Sequence, residues 1–201
     1  MKKFILALVA MVTMTFTTAS AMSYEQARQQ ALFLTDKMAY ELNLTDDQYE
    51  AAYETNLDYL MSVNTVDDLY GIYWRQRNMD LSYILLDWQY RTFINASYFY
   101  RPLYWDAGYW HFGIYARYPH RDYFFFGRPH FYVSYRGGHS WRMNGGRSWY
   151  HGRDFGGPRP EGHPRVGMRD GFNRGDFGRG QSFGNMNRNN GNLNRNNGQS
   201  F

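Results

Sequence analysis

Apolar residues in the first half of the chain recur at helical spacing. Intervals of four, three and four define the first stripe, which predicts a helix over residues 24–42: Ala27, Ala31, Leu34 and Met38. A second stripe runs from Tyr49 to about Val63 and predicts a second helix there. The short polar break between them favours an antiparallel helical pair.

A third helical stripe opens at Thr65, with Asp67 and Asp68 in its first turn. No Gly or Pro interrupts residues 72–101, which predicts one long helix or two helices joined near Asn78. Arg101-Pro102 ends the pattern, because a residue before proline resists the α conformation. Residues 22–101 are thus predicted to form a unit of three to four antiparallel helices.

The pattern then changes from helical to aromatic. Residues 98–150 contain twenty Phe, Tyr and Trp side chains, in runs separated by Gly and Pro. These residue types favour strands. We expect a strand at 131–135, a tight hairpin turn at 136–139, and two to four short antiparallel strands within 102–151. The predicted fold class is therefore α+β.

The N-terminus has the pattern of a secretory signal peptide. Lys2 and Lys3 precede an apolar run over 4–16, and Ala19-Ser20-Ala21 follows as a cleavage site. The mature chain would begin at Met22 and be periplasmic or secreted. It has no Cys for a lipid anchor or a disulfide, and no later apolar stretch predicts a transmembrane segment.

Charge divides the mature chain. Residues 22–100 carry twelve acidic and five basic side chains, whereas residues 101–201 carry fifteen Arg, no Lys and six acidic side chains. From 152 to 201 the chain is rich in Gly, Arg and Asn and has too few apolar residues for a core, which predicts a disordered tail. The tail would be either a solubilising extension or a basic arm for anionic polymers or the acidic half of another copy.

The second predicted helix begins with a motif. Thr45 and Gln48 have the spacing of a capping box, and helix capping alone explains Thr45-Asp46-Asp47-Gln48. Leu44, Thr45 and Gln48 also match the LTxxQ motif, so the chain resembles the Spy and CpxP family of periplasmic proteins. The family usually carries two such motifs, and this sequence has one.

The resemblance implies an all-helical, cradle-shaped homodimer that acts as an ATP-independent chaperone or as an adaptor in envelope-stress signalling. Unfolded client chains would then bind apolar helical residues, for which Tyr49, Tyr53, Leu57 and Trp88 are the candidates. The resemblance does not account for the chain after Pro102.

The aromatic region supports a second hypothesis, a structural or glycan-associated envelope protein. Its rings either form a compact core or present a surface on which envelope polymers, such as cell-wall glycans, stack. The candidate residues for polymer binding are Tyr104, Trp105, Tyr109, Trp110 and Trp141. Arg among aromatic residues also suits nucleic acid, but the export signal argues against a nucleic-acid partner.

No motif predicts catalysis, a cofactor or a metal. The six His residues form no H-x-H or H-x-x-x-H pair, and His120 with His130 is the best candidate pair for Zn, Cu or Ni. Asp106 and Asp122 lie near His111 and His120 in the sequence, but no nucleophile accompanies them. The sequence predicts a non-enzymatic binding protein without a metal.

Overall fold

The computed structural model describes residues 21–156, 166–178 and 180–182 of the 201-residue chain. Within these ranges the helices are α1 (Tyr24–Glu41), α2 (Asp46–Ser62), α3 (Ile72–Ile84), α4 (Asp87–Asn95), α5 (Ser97–Tyr100), α6 (Ile114–Arg117) and α7 (Met168–Arg174). The strands are β1 (Leu103–Asp106), β2 (Tyr109–Phe112), β3 (Tyr123–Phe124) and β4 (Gln181–Ser182). β1 pairs with β2 and β3 pairs with β4, both antiparallel, which confirms the α+β prediction. Residues 1–20 of the predicted signal peptide lie outside the described residues.

The first two helices match the hydrophobic pattern. α1 buries the predicted face fully, and α2 begins directly after Thr45. Both helices start with a capping box, from Ser23 and Gln26 in α1 and from Thr45 and Gln48 in α2. The capping box of α1 was not predicted from the sequence, although Ser-x-x-Gln before an apolar stripe is typical of one.

The third predicted helix is not continuous. A 3₁₀ turn (Val66–Asp68) follows Thr65, and the helix expected over 72–101 is divided into α3, α4 and α5. The break between α3 and α4 lies at Leu85 and Leu86, whose backbones are extended, and not at Asn78. The buried Gln89 side chain caps the start of α4 locally by accepting from the Leu86 amide (2.8 Å), and its Nε2 group donates to the Leu42 carbonyl (3.0 Å) at the end of α1. The expected end of the helical region at Arg101 is confirmed.

The strand predicted at 131–135 is wrong. This segment forms a helical turn in which the Tyr135 amide donates to the Phe131 carbonyl (2.9 Å). Tyr132 and Tyr135 are buried and Phe131 and Val133 are exposed, so the buried side chains recur at an interval of three and not two. The turn predicted at 136–139 exists, with Gly137 at φ +83°, but no strands flank it. The hairpin turn lies instead at Ala107-Gly108, between β1 and β2.

The helical and aromatic regions share one hydrophobic core. Phe124, Phe126, Tyr132 and Tyr150 belong to the same buried cluster as the inner faces of α1 and α2. For this reason residues 31–39 of α1 are buried on all sides, including Thr35, Asp36 and Lys37.

A buried ion pair joins α1 to the aromatic segment. Lys37 Nζ donates to Asp36 Oδ2 (2.8 Å) and to the Tyr123 carbonyl (2.7 Å). Asp36 Oδ1 accepts from the backbone amides of Phe125 (3.0 Å) and Phe126 (2.9 Å). Every polar group in this contact therefore has a partner, which is the condition for burying a charged pair.

Residues 166–178, within the segment predicted to be a tail, pack on the helical pair. The Met168 amide donates to the Leu44 carbonyl (2.7 Å), and Phe172 and Phe177 meet Phe126 edge to face. Most of the remaining predicted tail lies outside the described residues.

Candidate functional site

Three of the four residues predicted to bind clients are core residues. Tyr49, Tyr53 and Leu57 are buried, and the two hydroxyls donate to the carbonyls of Gly127 (2.9 Å) and Tyr132 (3.3 Å). The aromatic segment covers this face of α2, so these residues do not form a client surface. Trp88 alone is exposed, with 48% of its surface accessible.

The motif residues Leu44, Thr45 and Gln48 also act within the fold. Leu44 is buried, and Gln48 Oε1 accepts from the Thr45 amide (2.9 Å) as in any capping box. Gln48 Nε2 then donates to the Ile84 carbonyl (2.9 Å) and to Gln89 Oε1 (2.6 Å). Gln89 Nε2 in turn donates to the Leu42 carbonyl (3.0 Å). The two glutamines therefore join the start of α2 to the junction of α3 and α4.

Four of the five residues predicted to bind polymers lie on the β1–β2 hairpin, on two opposite faces. The register pairs Trp105 with Trp110 and Tyr104 with His111. Because side chains alternate along a strand, the Trp pair points to one face and the Tyr–His pair to the other. Trp105 and Trp110 are packed against the core, with ring centroids 4.7 Å apart.

The outer face of the hairpin carries an aromatic platform. The rings of Tyr104 and His111 stack with centroids 5.2 Å apart and planes 15° apart. Tyr109 lies on the same face at the end of the turn and is 72% exposed, while Tyr104 is 44% exposed. The acidic Asp106 is also exposed there, and its carbonyl accepts from His111 Nε2 (3.2 Å). A ring with an apolar face and hydroxyl groups at its edge can stack on the exposed aromatic rings and bond to the polar groups beside them.

The fifth predicted residue, Trp141, lies in a separate cleft. The cleft has a volume of about 330 Å³ and is lined by α2, α3 and the segment 136–143. Trp141 Nε1 donates to both carboxylate oxygens of Asp80 (2.9 and 3.0 Å). The structure therefore does not bring the five predicted residues into one site.

Two carboxylates line this cleft. Burial raises the pKa of Asp58 from its ordinary value of 3.8 to about 7, although the Tyr135 hydroxyl, which donates to it (2.8 Å), opposes the shift. Burial likewise raises the pKa of Asp80 to about 6, against hydrogen bonds from Ser148 and Trp141. Neither carboxylate was predicted from the sequence, because an acidic side chain within a helix is typical of a solvent-exposed face. For Asp58 the available signal was a polar stripe along α2 at intervals of three and four: Thr55, Asp58 and Ser62.

The candidate metal residues His120 and His130 are both exposed, on either side of β3. Over the residues that the structure describes, no three His, Asp or Glu side chains come together as metal ligands. Another histidine, His139, pairs with the buried Glu54 (2.6 Å) and stacks on Trp149 with centroids 4.5 Å apart. That contact fixes the segment over α2.

Comparison with known proteins places this chain in no family. No family model matches it, and neither a curated protein nor a solved structure matches it. None of the helices in the described ranges is long and apolar enough to span a bilayer.

Proposed function

We propose that this chain is an exported, non-enzymatic binding protein that holds an envelope polysaccharide on the outer face of the β1–β2 hairpin. The observation that carries the proposal is the exposure of Tyr104 and Tyr109 on a hairpin whose opposite face is anchored in the core. Large aromatic rings are normally buried, and exposed rings held on one face are typical of binding surfaces.

Rigidity supports this function. Leu103 is fully buried, and its carbonyl accepts from the Tyr70 hydroxyl (3.4 Å). Next to the paired strands, the Gly113 amide donates to the Pro102 carbonyl (2.9 Å). A platform fixed in this way loses little conformational entropy when a ligand stacks on it.

The polar groups at the platform favour a sugar over a purely apolar partner. The Asp106 carboxylate accepts hydrogen bonds, and the Tyr104 and Tyr109 hydroxyls both donate and accept. Sugar rings have apolar faces and hydroxyl edges, so stacking and edge bonding operate together. A chain exported by the predicted signal peptide would meet such polymers.

The test is adsorption of the chain 22–201 to insoluble chitin, cellulose and peptidoglycan. We expect at least one of these polymers to retain the protein. The double variant Tyr104→Ala and Tyr109→Ala should reduce this retention at least about tenfold, because each stacked ring contributes roughly 1 kcal/mol or more. Phe131→Ala is the matched control, because Phe131 is an aromatic residue that is 52% exposed but lies outside the hairpin.

Unchanged thermal unfolding of each variant would show that the fold is intact. Equal retention of the hairpin variant and the Phe131→Ala variant would contradict the proposal, as would the absence of retention on all three polymers.

A second candidate is a chaperone-like or envelope-stress protein, as the LTxxQ resemblance implies. It is favoured by α4 and its N-cap, where Leu86, Trp88 and Ile94 are exposed apolar residues within a short helix. Its test is suppression of client aggregation without ATP by 22–201. Trp88→Ala should weaken the suppression and the hairpin variants should not; suppression unaffected by Trp88→Ala would contradict this candidate.

A further inference from the structure

The cleft beside Trp141 has the composition of a ligand site that the hairpin does not explain. Thr55 and Asp58 of α2, Arg77 and Asp80 of α3, and Trp141 line it. Its volume of about 330 Å³ is at the small end of the range of about 300–1,000 Å³ for small-molecule sites. The cleft therefore accommodates one small ring and not a polymer.

One buried hydroxyl in this cleft is unsatisfied. Thr55 is 2% exposed, and its Oγ1 has no hydrogen-bond partner among the described residues. Buried polar groups normally have partners, because leaving one unpaired is costly. A threonine in a helix can bond its own backbone, as the Thr35 hydroxyl does to the Ala31 carbonyl (2.7 Å), but Thr55 does not.

The charged side chains of the cleft form hydrogen bonds with neutral groups and not with one another. Arg77 is buried and donates to the side chains of Asn56 (2.8 Å) and Asn78 (3.2 Å) and to the Phe99 carbonyl (2.9 Å). Asp58 and Asp80 accept from Tyr135 and Trp141, and neither forms an ion pair within the part of the chain that the structure describes. Donors and acceptors of both signs thus face the same space.

We infer that this cleft binds a single neutral sugar unit, with Thr55, Asp58 and Asp80 bonding its hydroxyls and Trp141 stacking on its ring. An anion would face two carboxylates, whereas a cation would face Arg77 and two exposed arginines that also line the cleft, Arg136 and Arg142. A hydroxyl both donates and accepts, so a polyol matches both kinds of group and also satisfies Thr55.

Two contacts prepare the cleft for stacking. The bond from Trp141 Nε1 to Asp80 fixes the indole orientation, and Gly137, at φ +83°, lies beside Asp58 in the lining of the cleft. The inference deepens the proposed function, since it assigns the same ligand class to a second site, but it depends on different residues.

The test is saturation-transfer NMR on the chain 22–201 with glucose, galactose and N-acetylglucosamine, and with spermidine and citrate as charged probes. We expect at least one sugar to bind and neither charged probe to do so. Thr55→Val should weaken sugar binding about five- to tenfold, the loss expected from one hydrogen bond. It should leave thermal stability unchanged or higher, because the hydroxyl has no partner to lose.

Thr92→Val is the matched control, since Thr92 is an exposed helical threonine of α4 outside the cleft. Absence of sugar binding, binding of a charged probe alone, or equal sugar affinity of the Thr55→Val and Thr92→Val variants would overturn the inference.

The proposals for the two sites can be refuted independently of each other. If both proposals are correct, the double variant Tyr104→Ala and Tyr109→Ala loses polymer retention at least about tenfold but keeps the NMR signal of the monosaccharide. If monosaccharide binding is lost with the hairpin variant and kept in Thr55→Val, the hairpin binds the sugar and the cleft inference is wrong, while the proposed function stands.

Discussion

At the residue scale, Gln48 does more than its position in a capping box requires. In such a box glutamine and glutamate are equivalent, because only an acceptor for the N-cap amide is needed. Gln48 also uses its Nε2 group, which donates to the Ile84 carbonyl and to Gln89. The sequence predicted the cap from Thr45 and Gln48 alone, but the bond to Gln89, 41 residues away, depends on tertiary packing.

We predict that Gln48→Glu lowers the free energy of unfolding by about 2–3 kcal/mol, because a carboxylate keeps the cap but has no donor for its buried partners. Gln26→Glu is the control, since Gln26 completes the capping box of α1 on an exposed surface. It should change stability by less than about 0.5 kcal/mol. Urea unfolding measures both, and equal effects would mean that Gln48 serves only as a cap.

The carboxyl of Asp58 predicts a pH dependence. Its pKa is raised to about 7 by burial and is near 3.8 when the chain is unfolded. The folded chain therefore binds more protons between these values, so stability is greatest below about pH 4 for this group and falls as the pH rises towards 7. Asp80 acts in the same direction, with a pKa of about 6.

We predict that the melting temperature rises by several degrees when the pH is lowered from 7.5 to 5.5, and that Asp58→Asn reduces this rise. Asparagine still accepts from the Tyr135 hydroxyl but cannot ionise, so the variant should also melt higher than the original chain at pH 7.5. Asp67→Asn, on an exposed position, should leave the pH profile unchanged. A melting temperature that is higher at pH 7.5 than at 5.5 would refute this assignment.

At the element scale, the β1–β2 hairpin turns at Ala107-Gly108, a pair of residues for which the sequence predicted no turn. Ala107 and Gly108 have φ of +47° and +86°, as in the two-residue turns that suit antiparallel strands. Asn-Gly or Asp-Gly usually marks such a turn, and alanine is unfavourable there because its Cβ crowds the backbone. Arg136–His139, with its two glycines, was the stronger sequence signal for a hairpin turn. Tyr135 and Tyr150 on either side of it are buried in the core. The turn therefore forms as predicted, but packing determines the conformation of the segments that flank it.

We predict that Ala107→Gly stabilises the protein by about 0.5–1 kcal/mol, since glycine adopts positive φ without strain. Ala116→Gly, in the helical α6, should destabilise it by a similar amount. Thermal unfolding of the two variants distinguishes a strained turn from a general effect of glycine. Destabilisation by both would show that the turn carries no strain at Ala107.

At the scale of the whole molecule, hydrophobic periodicity predicted the helices that pack through a simple stripe and missed those set by long-range contacts. α1 and α2 follow their stripes, whereas the junction of α3 and α4 is held by the bonds of Gln89 with Gln48 and with the Leu42 carbonyl. Composition predicted an aromatic region but not where its rings pack; Phe124, Phe126, Tyr132 and Tyr150 share one core with α1 and α2. The candidate hairpin residues were identified from residue type, but their division between two faces required the strand register.

The shared core makes a strong prediction about truncation. A chain ending at Arg101 loses Phe124, Phe126 and Tyr132, which pack on α1 and α2, and leaves Lys37 without its bond to the Tyr123 carbonyl. We predict that residues 22–101 keep helical far-UV circular dichroism but lose a cooperative thermal transition and the near-UV signal, as expected when fixed packing is lost. Residues 22–182 retain every described contact and should unfold cooperatively.

Near-UV and far-UV melting curves of the two chains measure this difference directly. A sharp, coincident transition for 22–101 would show that the helices fold alone and that the aromatic region only covers them. Loss of the transition would mean that any activity of the helices must be tested in the longer chain, because Asp36, Lys37 and Glu54 are buried only when the aromatic segment is present. In that case point variants on the surface, and not truncations, separate hairpin binding from client binding.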